Sequence, residues 1–207
     1  HTAADAVEAV DAAAASGFQR ISVDLMYGLP GQTIDDWTAT LEQALRLPVE
    51  HISAYALTVE EDTPLAERVE HDSDYLPDDD SVAAMQELVL SKLAANNFER
   101  YEISNFAKAG AVCLHNMGYW RYRPYLGLGA AAVSTWRGRR WRTTSVLADY
   151  LRDAGQNHFA ACEQEILQAD IRLSEYIFLG LRTTEGISLS DANRRFGMCF
   201  QRVFATQ

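Results

Sequence analysis

The strongest constraint on the fold is a rhythm. Between Thr2 and Ile103 the chain switches repeatedly between a hydrophobic period of two and one of about 3.6. Thr2–Ser16 is Ala-rich with apolar positions at helical spacing, and Gly17 stops it. Arg20–Met26 alternates, with Ile21, Val23 and Leu25 between polar residues, and predicts a strand. A Gly/Pro loop, Tyr27–Thr33, leads into a helix over Ile34–Leu47, with Ile34, Trp37, Leu41, Ala44 and Leu45 on one face. A second strand is predicted over His51–Leu57 and a short helical or irregular piece over Asp62–Glu70. An acidic exposed loop over His71–Asp80, a long helix over Ser81–Asn96 and a third strand over Phe98–Ile103 complete the series. Strands alternating with helices of this length predict parallel βαβ units, an α/β class. Three strands are too few for a complete barrel or a wide open sheet, which agrees with the expectation that a first half is missing. The opening on His1 rather than Met, and the stop at Gln207 soon after a new helix begins, add to the expectation of a fragment.

After Ser104 the rhythm changes. Asn105–Val112 is loop-like, Leu114–Arg121 suits a short helix, and Tyr125–Ala132 is rich in Gly and Ala. Val133–Thr144 predicts a hairpin with its turn at Arg137–Arg140, and Ser145–Ala154 a helix. Asp170–Leu181 predicts a stronger helix with Ile171, Ile177, Phe178 and Leu181 on its apolar side. Ser188 is a good N-cap for Ser188–Phe196, with Asp191 in the first turn. The expected division is residues 1–105, a run of βα units; 106–165, an irregular segment with a hairpin; and 166–207, a small helical module.

Composition removes some function classes. With 48% hydrophobic residues the chain can pack a core, and a net charge of −11 gives no basic footprint for non-specific nucleic-acid binding. No apolar run reaches the length of a membrane span and no signal peptide opens the chain, so the expected setting is the cytoplasm. Cys113, Cys162 and Cys199 have neither disulfide-framework nor metal-site spacing.

Three motifs carry chemistry. In Asp24-Leu-Met-Tyr-Gly-Leu-Pro-Gly-Gln-Thr33 the aspartate is expected where a strand ends and a Gly/Pro loop begins. Ligands of α/β sheets bind at such strand ends. Asp24 there can accept hydrogen bonds from ribose hydroxyls or an amino group, or simply close the loop on backbone N–H groups. The glycines do not form a Walker loop, since no Gly-Lys-Ser/Thr follows. In His115-Asn-Met-Gly-Tyr-Trp120, His115 and Tyr119 are four apart and share a helix face. That pair suits a porphyrin, with nitrogen on iron and rings on the macrocycle; it also suits a structural helix with Trp120 in the core. Trp136-Arg-Gly-Arg-Arg-Trp-Arg142 interleaves cations with tryptophans. Nucleic-acid binding conflicts with the overall acidity, which leaves a solvated hairpin turn, or an arginine paired with a porphyrin propionate.

These segments resemble the radical SAM coproporphyrinogen III oxidase-like family. The Asp24–Thr33 run resembles one of its strand–loop units, and His51-Ile-Ser-Ala-Tyr-Ala-Leu-Thr58 with Glu60 and Thr63-Pro64 resembles the next. Tyr101-Glu-Ile-Ser-Asn-Phe106 and Cys113–Trp120 continue the likeness, and Glu175–Gly186 is similar to the start of the family's C-terminal helical domain. The resemblance implies a partial radical SAM barrel followed by that helical domain. It implies that Asp24, Met26 and Thr58 contact S-adenosylmethionine. The family's Cys-x3-Cys-x2-Cys loop, which holds a [4Fe–4S] cluster, matches nothing in this chain, and the three cysteines are not that triad. His-Asn-x-x-Tyr-Trp resembles the mark of the family's haem chaperone branch, which implies His115 as a haem contact and tentative iron ligand, with Cys113 a weaker one. One departure stands out: Gly127-Leu-Gly-Ala-Ala-Ala-Val-Ser134 has Val133 where the family carries histidine.

The resemblance implies a haem-binding chaperone that passes haem to acceptor proteins, for example a membrane respiratory enzyme, with SAM and the cluster bound by the longer parent. The alternative it leaves open is an enzyme, the oxygen-independent coproporphyrinogen III dehydrogenase, which would use the same Asp24 loop; a barrel relative with another substrate is a third.

Overall fold

The computed structural model describes residues 2–72, 75–156 and 161–197. Cys199, part of the acidic loop and the end of the expected helical domain lie outside these residues. The chain divides into two compact units, His1–Cys113 and Leu114–Gln207.

The first unit begins with α1 (Ala3–Ala15), capped by Thr2 and Asp5 in a reciprocal box. Then come β1 (Ser22–Tyr27), α2 (Ile34–Arg46), β2 (His51–Ala56), α3 (Pro64–His71), α4 (Asp79–Ala95), β3 (Glu99–Arg100) and β4 (Asn105–Ala107). Each helix starts where the sequence offers an acceptor. Thr33 and Asp36 form a second capping box, Thr63 caps α3 ahead of Pro64, and the Asp78 side chain caps α4. The strands form one sheet in the order β1-β2-β4-β3. β1 and β2 are parallel, joined through α2 as the rhythm predicts. The third strand departs from expectation. Instead of one parallel strand over Phe98–Ile103, the chain makes β3, turns, and returns as β4, antiparallel to both β3 and β2. Glu102 closes the turn, its carboxylate accepting from the backbone N–H of Ser104 and the Asn105 amide. A parallel strand needs a crossover of a dozen or more residues, and none fits between Arg100 and Asn105. So Asn105–Ala107, expected as loop, is strand.

The core lies on one face of this sheet. Trp37 and Leu41 of α2, Met85 and Leu93 of α4 and Ile52 of β2 are essentially inaccessible, and the Trp37 indole donates to the Met85 carbonyl at 3.1 Å. Burying that indole against Tyr27, with its N–H satisfied, fixes α2 and α4 on the sheet.

The second unit contains α5 (Leu114–Trp120), β5 (Val133–Trp136), β6 (Arg139–Thr143), α6 (Leu147–Gly155), β7 (Ala161–Ile166), α7 (Ala169–Gly180) and α8 (Leu189–Phe196). β5 and β6 are the predicted hairpin. Its two-residue loop, Arg137-Gly138, has positive φ at both positions, the geometry that matches strand twist. β7 was not expected; it adds an antiparallel third strand beside β6. The expected apolar side of α7 is not its buried side. Ile171, Phe178 and Leu181 are exposed, and Tyr176 is buried in their place. Its ring meets Phe196 of α8 edge-on at 5.5 Å, so the packing partner of α7 selects a different face.

Candidate functional site

Side chains alternate across a strand, so the sheet of the first unit has a second face opposite the core. Ser22, Asp24 and Met26 of β1 share that face with His51, Ser53 and Tyr55 of β2, since Ser22 pairs with His51, Asp24 with Ser53 and Met26 with Tyr55. β4 extends two of these rows, with Ala107 opposite His51 and Asn105 opposite Ser53. The face is polar and hydrogen-bonded across strands. The Ser22 hydroxyl and His51 Nδ1 are 2.8 Å apart, and His51 Nε2 and the Tyr101 hydroxyl 2.8 Å. The Ser53 hydroxyl donates to Asn105 Oδ1 at 2.8 Å, and Asn105 donates to Glu102. Burial pulls His51 below its ordinary value, opposed by the negative charges of Asp24 and Glu102. Sequence reasoning missed this network, although the alternation of Ser22 with Asp24 and of His51 with Ser53 is a period-two polar signal.

Asp24 is not at the strand end. Leu25, Met26 and Tyr27 continue the pairing with Ala54, Tyr55 and Ala56, so the strand runs three residues further and the loop starts at Gly28. Asp24 and Met26 are exposed on the polar face, and Thr58 lies exposed two residues beyond β2. Gly28 and Gly31 both have positive φ, which makes the tight loop into the Thr33 cap possible. The structure thus puts Asp24 mid-strand, Met26 near the carboxyl end of β1 and Thr58 just beyond that of β2, all on one parallel strand pair. An exposed carboxylate on this face can accept hydrogen bonds from the ribose hydroxyls or an amino group of a nucleoside. The cysteines do not fit a [4Fe–4S] cluster: Cys113 closes the first unit, Cys162 lies on β7 of the second, and the described residues contain no cluster of metal-ligating side chains.

In the second unit α5 carries His115 exposed, its imidazole edge-to-face with Tyr119 at 4.9 Å. Tyr119 in turn meets Tyr125 edge-to-face at 4.7 Å. Met117 points the other way and is buried, which anchors the helix. Trp120 is half-buried, its indole N–H lacks an acceptor among the described residues, and the Arg182 guanidinium lies 5.2 Å above its ring. Beside this ladder is a cavity of about 280 Å³ between α5, the hairpin turn and α8. An ion-paired frame braces it. Arg140 donates twice to Glu175 at 2.8 Å and once to Glu165 at 3.0 Å, and the Tyr122 hydroxyl donates to Glu175 at 3.0 Å. Burial first, then Glu175, pushes the Tyr122 phenol up to about 12.

Residues 167–207 match the family model of the HemN C-terminal domain. The heme chaperone HemW of Bacillus subtilis is 34% identical over 204 residues, covering 99% of this chain and 54% of that protein. HemW of Haemophilus influenzae is 42% identical over 132 residues, 64% of this chain and 33% of the relative. A mitochondrial radical S-adenosyl methionine domain-containing protein 1 from Danio rerio is 37% identical over 177 residues, 82% of this chain and 40% of the relative. The solved structure of Escherichia coli coproporphyrinogen III oxidase (HemN), a radical SAM enzyme, superposes with a TM-score of 0.80 at 18% identity, over 99% of this chain and 50% of its own. The chain spans about half the length of the curated relatives it matches. By these matches, the chain is similar to the heme chaperone HemW along nearly its whole length, its residues 167–207 are of the HemN C-terminal domain type, and its fold is that of the matching half of HemN.

Proposed function

We propose that the protein containing this chain is a haem chaperone, binding haem through the second unit and delivering it to haem-dependent acceptors, respiratory membrane enzymes among them, from the cytoplasm. The observation that carries the reading is His115. Its imidazole is exposed on α5, has no hydrogen-bond partner among the described residues, and stands edge-on to a tyrosine ladder. A neutral ring nitrogen free of other bonds can ligate iron, while Tyr119 and Tyr125 offer flat apolar surface to a macrocycle. The HemW relatives support the same reading by name. Cys113 is the weaker candidate ligand. The test is a haem titration of the complete protein and of His115→Ala. Loss of the wild-type Soret band shape in the variant is expected; identical spectra and affinity would remove His115.

In this reading residues 1–105 are part of a radical SAM barrel, 106–165 carry the haem-binding helix and hairpin, and 166–207 begin the C-terminal helical domain. Asp24, Met26 and Thr58 would contact S-adenosylmethionine, Asp24 by accepting hydrogen bonds and the other two through their backbone. The [4Fe–4S] cluster that would supply an electron to SAM finds no ligand set among the described residues, and in this reading its cysteines come from the rest of the protein. A second reading, coproporphyrinogen III dehydrogenase, is favoured by the shared fold with that oxidase. Turnover of coproporphyrinogen by the complete, reconstituted protein would favour it over the chaperone.

A further inference from the structure

The cavity beside the tyrosine ladder has a charge imbalance that the reading above leaves unused. Five arginines line it, Arg123, Arg137, Arg140, Arg172 and Arg195, and no carboxylate does among the described residues. Two of the five are satisfied. Arg140 is held by Glu165 and Glu175, and Arg195 by Asp191 at 2.6 Å. Arg123 and Arg137 make no ion pair among the described residues and are exposed. Arg172 rests its guanidinium 5.9 Å over the Phe196 ring and likewise has no carboxylate partner there. The wall also contains an unsatisfied hydroxyl, since Thr135 Oγ1 is buried without a hydrogen-bond partner among the described residues. Much of the remaining surface is aromatic, with Tyr119 and Tyr125 shared between this cavity and the ladder that ends on His115.

A cavity lined by both surplus guanidinium groups and flat rings fits an anionic, planar ligand, because guanidinium binds carboxylate in a charge-assisted, two-pronged pair. We infer that this cleft holds the carboxylate-bearing edge of a porphyrin, with Arg137 and Arg172 as its principal contacts, Arg123 as a third, and the macrocycle laid along Tyr125 and Tyr119 toward His115. The inference rests on the haem-binding reading but concerns a different group of the ligand. His115 addresses the metal, and the arginines address the side-chain carboxylates. Arg140, in β6, is excluded from this role because its charge is already paired with Glu165 and Glu175.

Metal-free protoporphyrin IX separates the two, since it has the carboxylates and no iron for His115. Fluorescence titration of the complete protein should give at least about tenfold tighter binding of the free acid than of its dimethyl ester, a charge-assisted contribution of roughly 1.4 kcal/mol or more. In Arg137→Gln/Arg172→Gln the free acid should fall to the affinity of the ester, the ester should be unaffected, and Arg137→Lys/Arg172→Lys should recover part of the preference. Equal binding of acid and ester by the unmodified protein would overturn the inference whatever the variants do. So would an unchanged preference in the double glutamine variant. Displacement by inorganic phosphate, with acid and ester displaced equally, would reassign the cleft to free phosphate and also overturn it. If His115→Ala leaves the haem spectrum intact while the acid–ester preference persists, the iron-ligand reading fails and this inference stands.

Discussion

His51 is buried between two hydroxyls, Ser22 at Nδ1 and Tyr101 at Nε2, each 2.8 Å away. Burial is the largest influence on it and favours the neutral ring; Asp24 and Glu102 oppose it without winning. The sign for stability follows. The unfolded chain takes up a proton near the ordinary value of 6.5, while the native imidazole resists until a lower pH. Stability from this group is therefore complete above 6.5 and declines as pH falls below it. Urea unfolding between about pH 7.5 and 5.5 should show that decline, and His51→Gln should make it shallower. An equal slope in both proteins would show that His51 titrates alike in the folded and unfolded states. Two glycines make a second residue-scale contrast. A Cβ on Gly127 would lie 2.2 Å from the Val133 carbonyl oxygen, a backbone atom that cannot move aside, whereas a Cβ on Gly118 meets nothing. Gly127→Ala should cost about 1–3 kcal/mol in thermal or urea unfolding. Gly118→Ala, inside α5, should be neutral or stabilising by about 0.5–1 kcal/mol. The Gly127 requirement is hidden in the sequence, because it comes from a chain seven residues away whose Ser134 hydroxyl accepts the Gly127 N–H.

At the scale of elements, the second unit is tied together by one ion-paired group. Glu175 of α7 receives Arg140 of β6 and the hydroxyl of Tyr122, just past α5, while Arg140 also reaches Glu165 of β7. The Arg140 and Glu175 side chains are only 31% and 26% exposed, so solvent screens them less than a surface pair. Glu175→Gln should lower stability by about 1–2 kcal/mol and Arg140→Ala by more, because the latter leaves two carboxylates facing each other. Thermal unfolding checks both. The exposed Asp149–Arg152 pair on α6 is the control, and its removal should leave the melting temperature unchanged. The same cross-strand charges explain why β7 was illegible. Ala161-Cys-Glu-Gln-Glu-Ile166 has little strand propensity, but Glu165 pairs in register with Arg140 and Glu163 with Arg142. Tertiary electrostatics recruit a strand that local preference does not announce. The β5–β6 hairpin, by contrast, was legible because Arg137-Gly138 is a turn by its own chemistry. The β3–β4 reversal was not, because it depends on Glu102 bonding residues two and three positions on.

For the molecule as a whole, the α/β class and the placement of Met26 and Thr58 toward the carboxyl ends of β1 and β2 could be read from alternation and loop glycines, whereas the mid-strand position of Asp24 could not. The cleft could not, because its arginines come from α7, α8, the hairpin turn and the segment after α5, and no sequence pattern brings those together. The scale of the whole also decides what the 207-residue chain can do on its own. A cubic iron–sulfur cluster needs thiolates converging on one site, usually supplied by closely spaced cysteines. Here Cys113 ends one compact unit and Cys162 sits in a strand of the other, and Cys113, Cys162 and Cys199 are all far apart in sequence. Anaerobic reconstitution of this chain with ferrous iron and sulfide, followed by desalting, should leave no stoichiometric iron or broad visible absorption. The complete protein treated in the same way should acquire both, and Asp24→Asn in that protein should keep the cluster while weakening SAM binding by about tenfold, the loss of one charge-assisted hydrogen bond. Stoichiometric cluster assembly on the 207-residue chain would mean that its own cysteines converge. Unchanged SAM affinity in the Asp24 variant would return that carboxylate to a structural role on the polar face of the sheet.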